Sequence, residues 1–212
     1  MTVDLDHSSV TVFLDALASA APAPGGGAAC ALTGALSAAL VSMVANLTLN
    51  KAPADAPSLQ PVLEQANALR ERLVTLVAAD AEAYTQVVAA YRLPRTTAEE
   101  RASRRATIEA ALQQATRVPL DIAAGCAEAL ALAEPAARWG SRSTVSDAGA
   151  AAYLAEAAAR AALLNVEINL ASIHDSAFVM WAQERAAAIT ASLPAAREAA
   201  LAAMRVTLQK EV

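Results

Sequence analysis

One aspartate inside an apolar helical pattern is the first candidate for chemistry in this chain. Asp80 lies in the segment VAADAEAYTQVV, where Leu76, Ala83 and Tyr84 share its helical face. A carboxylate among apolar neighbours has a raised pKa and could exchange protons near neutral pH. Spacing alone favours the simpler interpretation, an edge residue of an amphipathic helix.

A second aspartate and two asparagines are the other polar candidates. Asp147 follows Ser146 at the start of an alanine-rich segment, and a helix N-cap explains it best, although a capping aspartate can still face a cleft. Asn165 and Asn169 lie four residues apart on one face of an otherwise apolar helix, so their amides need partners. The pattern fits a pair of hydrogen-bonding groups for a ligand and a clamp between helices equally well.

A Pro/Gly-rich run precedes the most apolar segment of the chain. Pro22-Ala23-Pro24-Gly25-Gly26-Gly27 stands directly before the uncharged stretch 28–50, which Lys51 ends. The prolines prevent helix immediately upstream, and the glycines permit positive φ and remove side chains from the backbone surface. Because the first amides of a helix have no partner within it, this junction could bind an anion or another ligand. The alternative is a plain loop that enters a buried helix. Lys51 suits the dipole of the helix end and could also meet an acidic ligand.

The composition predicts an all-α protein. The 212 residues are 56% hydrophobic and only 3% aromatic, and alanine, the best helix former, supplies much of the apolar content. Since alanine buries little area, we expect closely packed helices and a large shared interface, most simply in a two-fold homodimer.

The charge and the start of the chain exclude several classes of partner. A net charge of −5 argues against nucleic acid. The polar start MTVDLDHSS is unlike a secretory signal, so we expect a cytoplasmic protein. The stretch 28–50 is long enough to cross a bilayer, but its small and hydroxyl residues favour a core helix, and we expect no membrane partner. Cys30 and Cys126 lack the spacing of a metal or redox site, and we expect no metal.

Prolines, glycines and caps divide the chain into about eight predicted helices within one domain, residues 1–212. Ser8 or Ser9 caps the first, and Thr97 with Glu100 forms a capping box for the fourth. Pro119 should break or kink the chain, and residues 51–57 and 135–145 should be loops. The predicted helices cover about residues 9–19, 28–50, 58–92, 97–118, 119–133, 146–174, 176–190 and 194–210.

Taken together, these segments resemble the formiminotetrahydrofolate cyclodeaminase / methenyltetrahydrofolate cyclohydrolase family. The similarity begins with FLDALASAAPAPGGGAACALTGALSAALVSMVANLTLNK and continues through AADAEAYTQVVAAYRLP and ATRVPLDIAAGCAEALALAE. It ends with SDAGAAAYLAEAAARAALLNVEINL. The chain looks most like the stand-alone bacterial cyclohydrolase branch.

The resemblance implies an all-helical homodimer with a folate cleft lined by helices and no metal or redox cofactor. The implied reaction is hydrolysis of 5,10-methenyltetrahydrofolate to 10-formyltetrahydrofolate by general acid/base catalysis. The alternatives are a formiminotetrahydrofolate cyclodeaminase, a diverged enzyme for a non-folate small molecule, and a folate-binding scaffold without activity. By position, the implied catalytic residues are Asp80 and Asp147. The implied substrate-binding residues are Gly25, Gly26, Gly27, Lys51, Tyr84, Ser141, Arg142, Asn165 and Asn169.

Three positions depart from the pattern of the family. Relatives often carry a KKKY-like cluster after the second helix, where this chain has Asn50-Lys51-Ala52-Pro53. The usual Gly-Asn after Trp139 is Gly140-Ser141, followed by Arg142, and Ala28 replaces a small polar residue. These positions are expected near the ligand, so they bear on the choice of substrate and reaction more than on the fold.

Overall fold

The regular secondary structure in the described part of the chain is all α-helix. The computed structural model describes residues 9–51 and 56–209, with side chains from residue 58 in the second range. No strand occurs in these ranges, and the all-α prediction is confirmed. The helices are α1 (Val10–Leu17), α2 (Gly26–Lys51), α3 (Ala56–Tyr91), α4 (Ala98–Trp139), α5 (Val145–Leu170) and α6 (Ser176–Gln209).

The predicted division into eight helices is wrong, because two pairs of predicted helices are each one continuous helix. Pro119 and Pro135 lie inside α4, and Pro194 lies inside α6. An interior proline costs about 3 kcal/mol through a lost hydrogen bond and a steric clash. Around Pro119 the helix is buried on its core side, where Leu120 and Ile122 are fully covered, and this packing outweighs the cost. The predicted loop 135–145 therefore shrinks to residues 140–144.

Two predicted caps are confirmed and one is wrong. The Ser9 hydroxyl accepts a hydrogen bond from Val12 N at 3.3 Å. Thr97 and Glu100 form the reciprocal capping box. The α5 helix begins earlier than expected, since its N-cap is Thr144 and Asp147 lies within its first turn. Some predicted positions lie outside the described residues: Ser8, the other N-cap alternative for α1, and Ala52 and Pro53 in the predicted loop 51–57. Lys51 is the last residue of α2.

Helix α2 forms the centre of the fold. It packs against α3, α4 and α5, and Ala31 and Ala38 on its inner side are fully buried. Small side chains let the neighbouring helices approach closely, and the Ser37 hydroxyl donates to the Ala151 carbonyl of α5 at 2.8 Å. By length and composition, α2 and the segment Ser58–Tyr91 could each cross a membrane. The position of α2 inside the bundle is that of the predicted core helix.

An ion-pair network centred on a buried glutamate joins α5 to α6. Glu156 is 7% exposed and accepts hydrogen bonds from Arg160 at 2.8 Å and Arg197 at 3.0 Å. Burial alone would raise the pKa of the Glu156 carboxyl, but the hydrogen bonds and charges of the two arginines outweigh it, and the pKa is lowered. The charged form of Glu156 therefore stabilises the contact between these helices.

The long helices separate two ends of the molecule. The start of α2 lies beside the end of α5, since residues of both line one cleft. At the other end, Ser141 N donates to the Thr48 hydroxyl at 3.0 Å, which ties the loop 140–144 to the last turn of α2. A helix of 26 residues is about 39 Å long. The two ends of α2 thus present their residues to separate surfaces of the same chain.

Candidate active site

The Asp80 side chain lies against the first turn of α2. The Ala28 amide donates to Asp80 Oδ2 at 2.9 Å. This amide belongs to the first turn of the helix, whose N–H groups have no intrahelical partner, so a carboxylate from α3 satisfies it. Asp80 is half-buried and also lines the cleft between α2, α3 and α5.

Burial changes the acidity of this carboxyl. Desolvation raises the pKa of Asp80, the hydrogen bond from Ala28 opposes it, and the net direction is upward. The carboxyl therefore exchanges protons closer to neutral pH than an ordinary aspartate does. Burial and the charge of Asp80 together raise the pKa of the Cys30 thiol to about 11. Cys30 is thus protonated at neutral pH and is a poor nucleophile.

The three glycines before and at the start of α2 differ in the space around them. A Cβ at Gly27 would lie 2.0 Å from Asp80 Oδ1, so only glycine allows this approach. A Cβ at Gly25 or Gly26 would meet no atom within 4 Å, because both border the open cleft. The expectation of positive φ is wrong, since every glycine in the described ranges has negative φ. Close approach, and not an unusual backbone conformation, is what requires a glycine at position 27.

The cleft gathers much of the predicted site. It has a volume of about 340 Å³. The predicted site residues that line it are Gly25, Gly26, Gly27, Asp80, Tyr84, Asn165 and Asn169. Pro22 and Ala23 of the Pro/Gly run and Ala83 on the face of Asp80 also line it. Sequence reasoning missed the apolar or small lining residues Ala81, Val87, Ala115 and Ile168, because such side chains carry no chemical signal. A few polar groups on mostly apolar walls are typical of a small-molecule site.

The two asparagines differ in what they bind. Asn169 Nδ2 donates to the Ala115 carbonyl of α4 at 2.7 Å. Asn165 Nδ2 makes a longer contact, 3.4 Å, with the Ala161 carbonyl of its own helix. Asn169 therefore links two helices through its nitrogen, as the clamp interpretation expects. It also borders the cleft, where hydrogen bonding to a ligand stays a prediction.

The remaining predicted site residues lie at the opposite end of the chain. Lys51 and Arg142 are exposed, and Ser141 and Asp147 are partly exposed. All lie near the last turn of α2 or the first turn of α5, at the opposite ends of these helices from Asp80. Because α2 and α5 are continuous, the motifs at their two ends cannot meet in the same chain. Over residues 9–51 and 56–209, no three His, Cys, Asp or Glu side chains gather as a metal site.

The chain is similar to proteins of folate metabolism over most of its length. The model of the family described as formiminotransferase-cyclodeaminase matches residues 9–188. A methenyltetrahydrofolate cyclohydrolase of Methylorubrum extorquens is 46% identical over 184 residues, which cover 84% of this chain and 86% of that protein.

Two further relatives carry the cyclodeaminase name. A formimidoyltransferase-cyclodeaminase of Rattus norvegicus is 31% identical over 90% of this chain, which spans only 38% of that longer protein. The crystal structure of formiminotetrahydrofolate cyclodeaminase from Thermotoga maritima matches with a TM-score of 0.85 at 28% identity, covering 96% of this chain and 98% of that one. The similarity thus extends over the complete helical arrangement.

Proposed function

The chain belongs to the formiminotransferase-cyclodeaminase family, and from that premise we propose that it hydrolyses 5,10-methenyltetrahydrofolate to 10-formyltetrahydrofolate. The 46% identity to a cyclohydrolase over most of both chains supports this reaction. The structural observation that carries it is the Asp80 carboxyl, which lines the cleft with a raised pKa and is held by the Ala28 amide.

The chemistry is addition of water followed by ring opening. Water adds to the positively charged amidinium carbon and gives up a proton, which the Asp80 carboxylate accepts and releases to solvent. The bond from this carbon to N5 then breaks as the new hydroxyl becomes the formyl carbonyl. Asp80 takes the hydroxyl proton and delivers it to N5, so one residue serves as base and as acid. The balance is one water consumed and one proton released, and the proposed steps use no resident metal or redox cofactor.

The walls of the cleft suit a flat bicyclic ring. Gly25 and Gly26 have open space where a side chain would stand, so a planar ligand can approach the backbone. Val87 and Ile168 provide apolar contact, and Asn169 provides a polar group at one edge. This arrangement supports a proposed complex in which a reduced pterin lies beside Asp80.

The cyclodeaminase reaction is the second candidate. The close structural match to the Thermotoga maritima protein favours it. In this reaction N10 attacks the formimino carbon, a base takes the N10 proton, and an acid protonates the departing ammonia. The same Asp80 carboxyl can perform both transfers, so the cleft is compatible with either reaction.

Two assays separate the candidates. The proposed hydrolysis predicts that added enzyme accelerates the loss of methenyl absorbance, and that D80N binds 5-formyltetrahydrofolate but does not accelerate the loss. Ammonia release from 5-formiminotetrahydrofolate without acceleration of methenyl hydrolysis would replace the first proposal with the second. No calorimetric binding of 5-formyltetrahydrofolate would refute both and favour a non-folate substrate. Binding without either turnover would favour a binding protein.

We propose that the active form is a homodimer. Helix α2 carries exposed apolar side chains at Leu36 and Met43, and α5 does so at Tyr153, Leu164 and Ile168. The helices pack together, and Ile168 also lines the cleft, so an apolar surface continues into the site. Monomers rarely leave such a surface uncovered.

A two-fold pairing of these surfaces also accounts for the separated site residues. With the two copies of α2 antiparallel, the partner's Lys51, Arg142 and Asp147 approach the cleft of the first subunit. Lys51 and Arg142 would supply positive charge for the carboxylates of a folate tail. Sedimentation velocity tests the pairing, and a monomer at full activity would refute it.

A further inference from the structure

A proline in α4 leaves a carbonyl without its helical donor at the cleft. Pro119 has no N–H, so the Ala115 carbonyl four residues earlier lacks the usual hydrogen bond, and the proline ring pushes it outward. Asn169 Nδ2 of α5 donates to this oxygen at 2.7 Å. Ala115 and Asn169 both line the cleft. A residue of the candidate site, Asn169, therefore donates to the carbonyl oxygen that lacks a helical donor because of Pro119.

This contact determines which way the amide faces. A carbonyl oxygen only accepts hydrogen bonds, so the nitrogen of Asn169 must face Ala115 and its Oδ1 must face the other way. No group within the described ranges donates to Asn169 Oδ1, and the residue is half-buried at the wall of the cleft. The Asn169 Oδ1 is thus an oriented acceptor at the cleft in addition to the Asp80 carboxyl.

Other interior prolines provide a comparison. Pro135 frees the carbonyl of Ala131, an exposed residue, and Pro194 frees that of Thr190. In the described part of the chain, no side chain donates to either oxygen, whereas the Ala115 oxygen receives Asn169. Among these three prolines, the pairing of a freed carbonyl with a cleft amide therefore occurs only at Pro119.

We propose that Pro119 is a positioning residue for the site: it keeps the Ala115 carbonyl available, so that Asn169 presents Oδ1 as an acceptor to an N–H group of the ligand. The identity of that ligand as a reduced pterin rests on the proposed function. The coupling between Pro119 and Asn169 does not, and it can be measured without any substrate.

The first test is a double-mutant cycle in thermal stability, with P119A, N169A and both together. N169A leaves the Ala115 carbonyl without a donor and should lower Tm by about 2–4 °C. In the P119A background the new N–H of residue 119 satisfies that carbonyl, so N169A should lower Tm by less than half as much. Equal losses in both backgrounds would overturn the coupling. P135A is the matched control, in whose background N169A should have its full effect.

The second test separates positioning from a general structural role. P119A replaces a residue unfavourable in a helix and should leave Tm unchanged or raise it, yet it should lower kcat/KM about tenfold, mainly through KM. N169A should lower kcat/KM by a similar factor, and the double variant no further. P135A should keep wild-type kinetics.

The two tests fail in different ways. If the losses of kcat/KM in P119A and N169A multiply in the double variant, or if P119A has wild-type kinetics, the positioning role is overturned. If no folate is turned over but the Tm cycle shows the expected coupling, the proposed reaction fails while the orientation of Asn169 is supported. Non-additivity at neighbouring sites is the expected signature of a shared contact.

Discussion

Replacement of Gly27 by alanine tests the geometry on which the site depends. The new Cβ would lie 2.0 Å from Asp80 Oδ1, 2.5 Å from Cγ and 2.7 Å from Oδ2, whereas real Cβ contacts essentially never fall below 3.0 Å. All three carboxyl atoms are too close, so rotation of the carboxyl group alone cannot relieve the clash. Asp80 must retreat by about 1 Å or more, and its 2.9 Å hydrogen bond with Ala28 N is lost.

The size of the effect follows from these distances. A hydrogen bond to a charged group contributes about 1.5–3 kcal/mol, and Gly→Ala in a helix returns about 0.5–1 kcal/mol. The free energy of unfolding of G27A should therefore fall by about 1–2 kcal/mol, which lowers Tm by roughly 3–6 °C for a chain of this size. A shift of about 1 Å in a reacting group should reduce kcat/KM about a hundredfold.

Differential scanning calorimetry and the methenyl absorbance assay measure the two effects. G26A is the stability control, because its Cβ meets open space, and its Tm should hold or rise. In a D80A background the clash is absent, so G27A should raise Tm instead of lowering it. Wild-type Tm and kcat/KM in G27A, or the same loss of Tm with and without the Asp80 carboxyl, would refute the reasoning.

Three further predictions concern catalysis, assembly and stability. D80N should lower kcat by about 10²–10⁴ with little change in KM. Because the folded-state pKa of Asp80 is raised, the Tm of D80N relative to wild type should increase as pH rises above the ordinary aspartate range. A constant Tm difference in a series of melts at different pH would contradict this. L36E places a charge on the exposed face of α2 and should shift sedimentation from dimer to monomer with loss of activity, whereas V206E, on an equally exposed position of α6, should change neither. E156Q should lower Tm by roughly 3–6 °C at neutral pH. Since the pKa of Glu156 is lowered, this loss of Tm should shrink as pH falls through the folded-state pKa. A loss of Tm that does not change with pH would count against an ionic contribution.

Local patterns predict the fold class, and the family resemblance implies much of one site. Alanine content predicted helices, and the capping box at Thr97 and Glu100 was read from two residues. Asp80, Asn165 and Asn169 stand out as polar groups in apolar helical segments, but spacing favours an edge residue for Asp80 and leaves the asparagine pair open. The family resemblance implies their site roles, and all three line the cleft. The predicted number of helices is wrong because of the interior prolines. The free-energy cost of an interior proline can be read from local sequence, whereas the burial that outweighs this cost depends on helices distant in sequence.

The sequence by itself determined that the chain forms long, alanine-rich helices with a glycine junction at the start of the most apolar one. Only the tertiary structure decided which polar residues meet. Ala28 and Asp80 are distant in sequence, yet the Ala28 amide donates to Asp80 Oδ2 at 2.9 Å. Asp147 and Asn169 share one helix but lie at its opposite ends. The physical reason is that helical periodicity assigns a residue to a face of its own helix, but the packing of one helix on another sets which faces and which ends become neighbours.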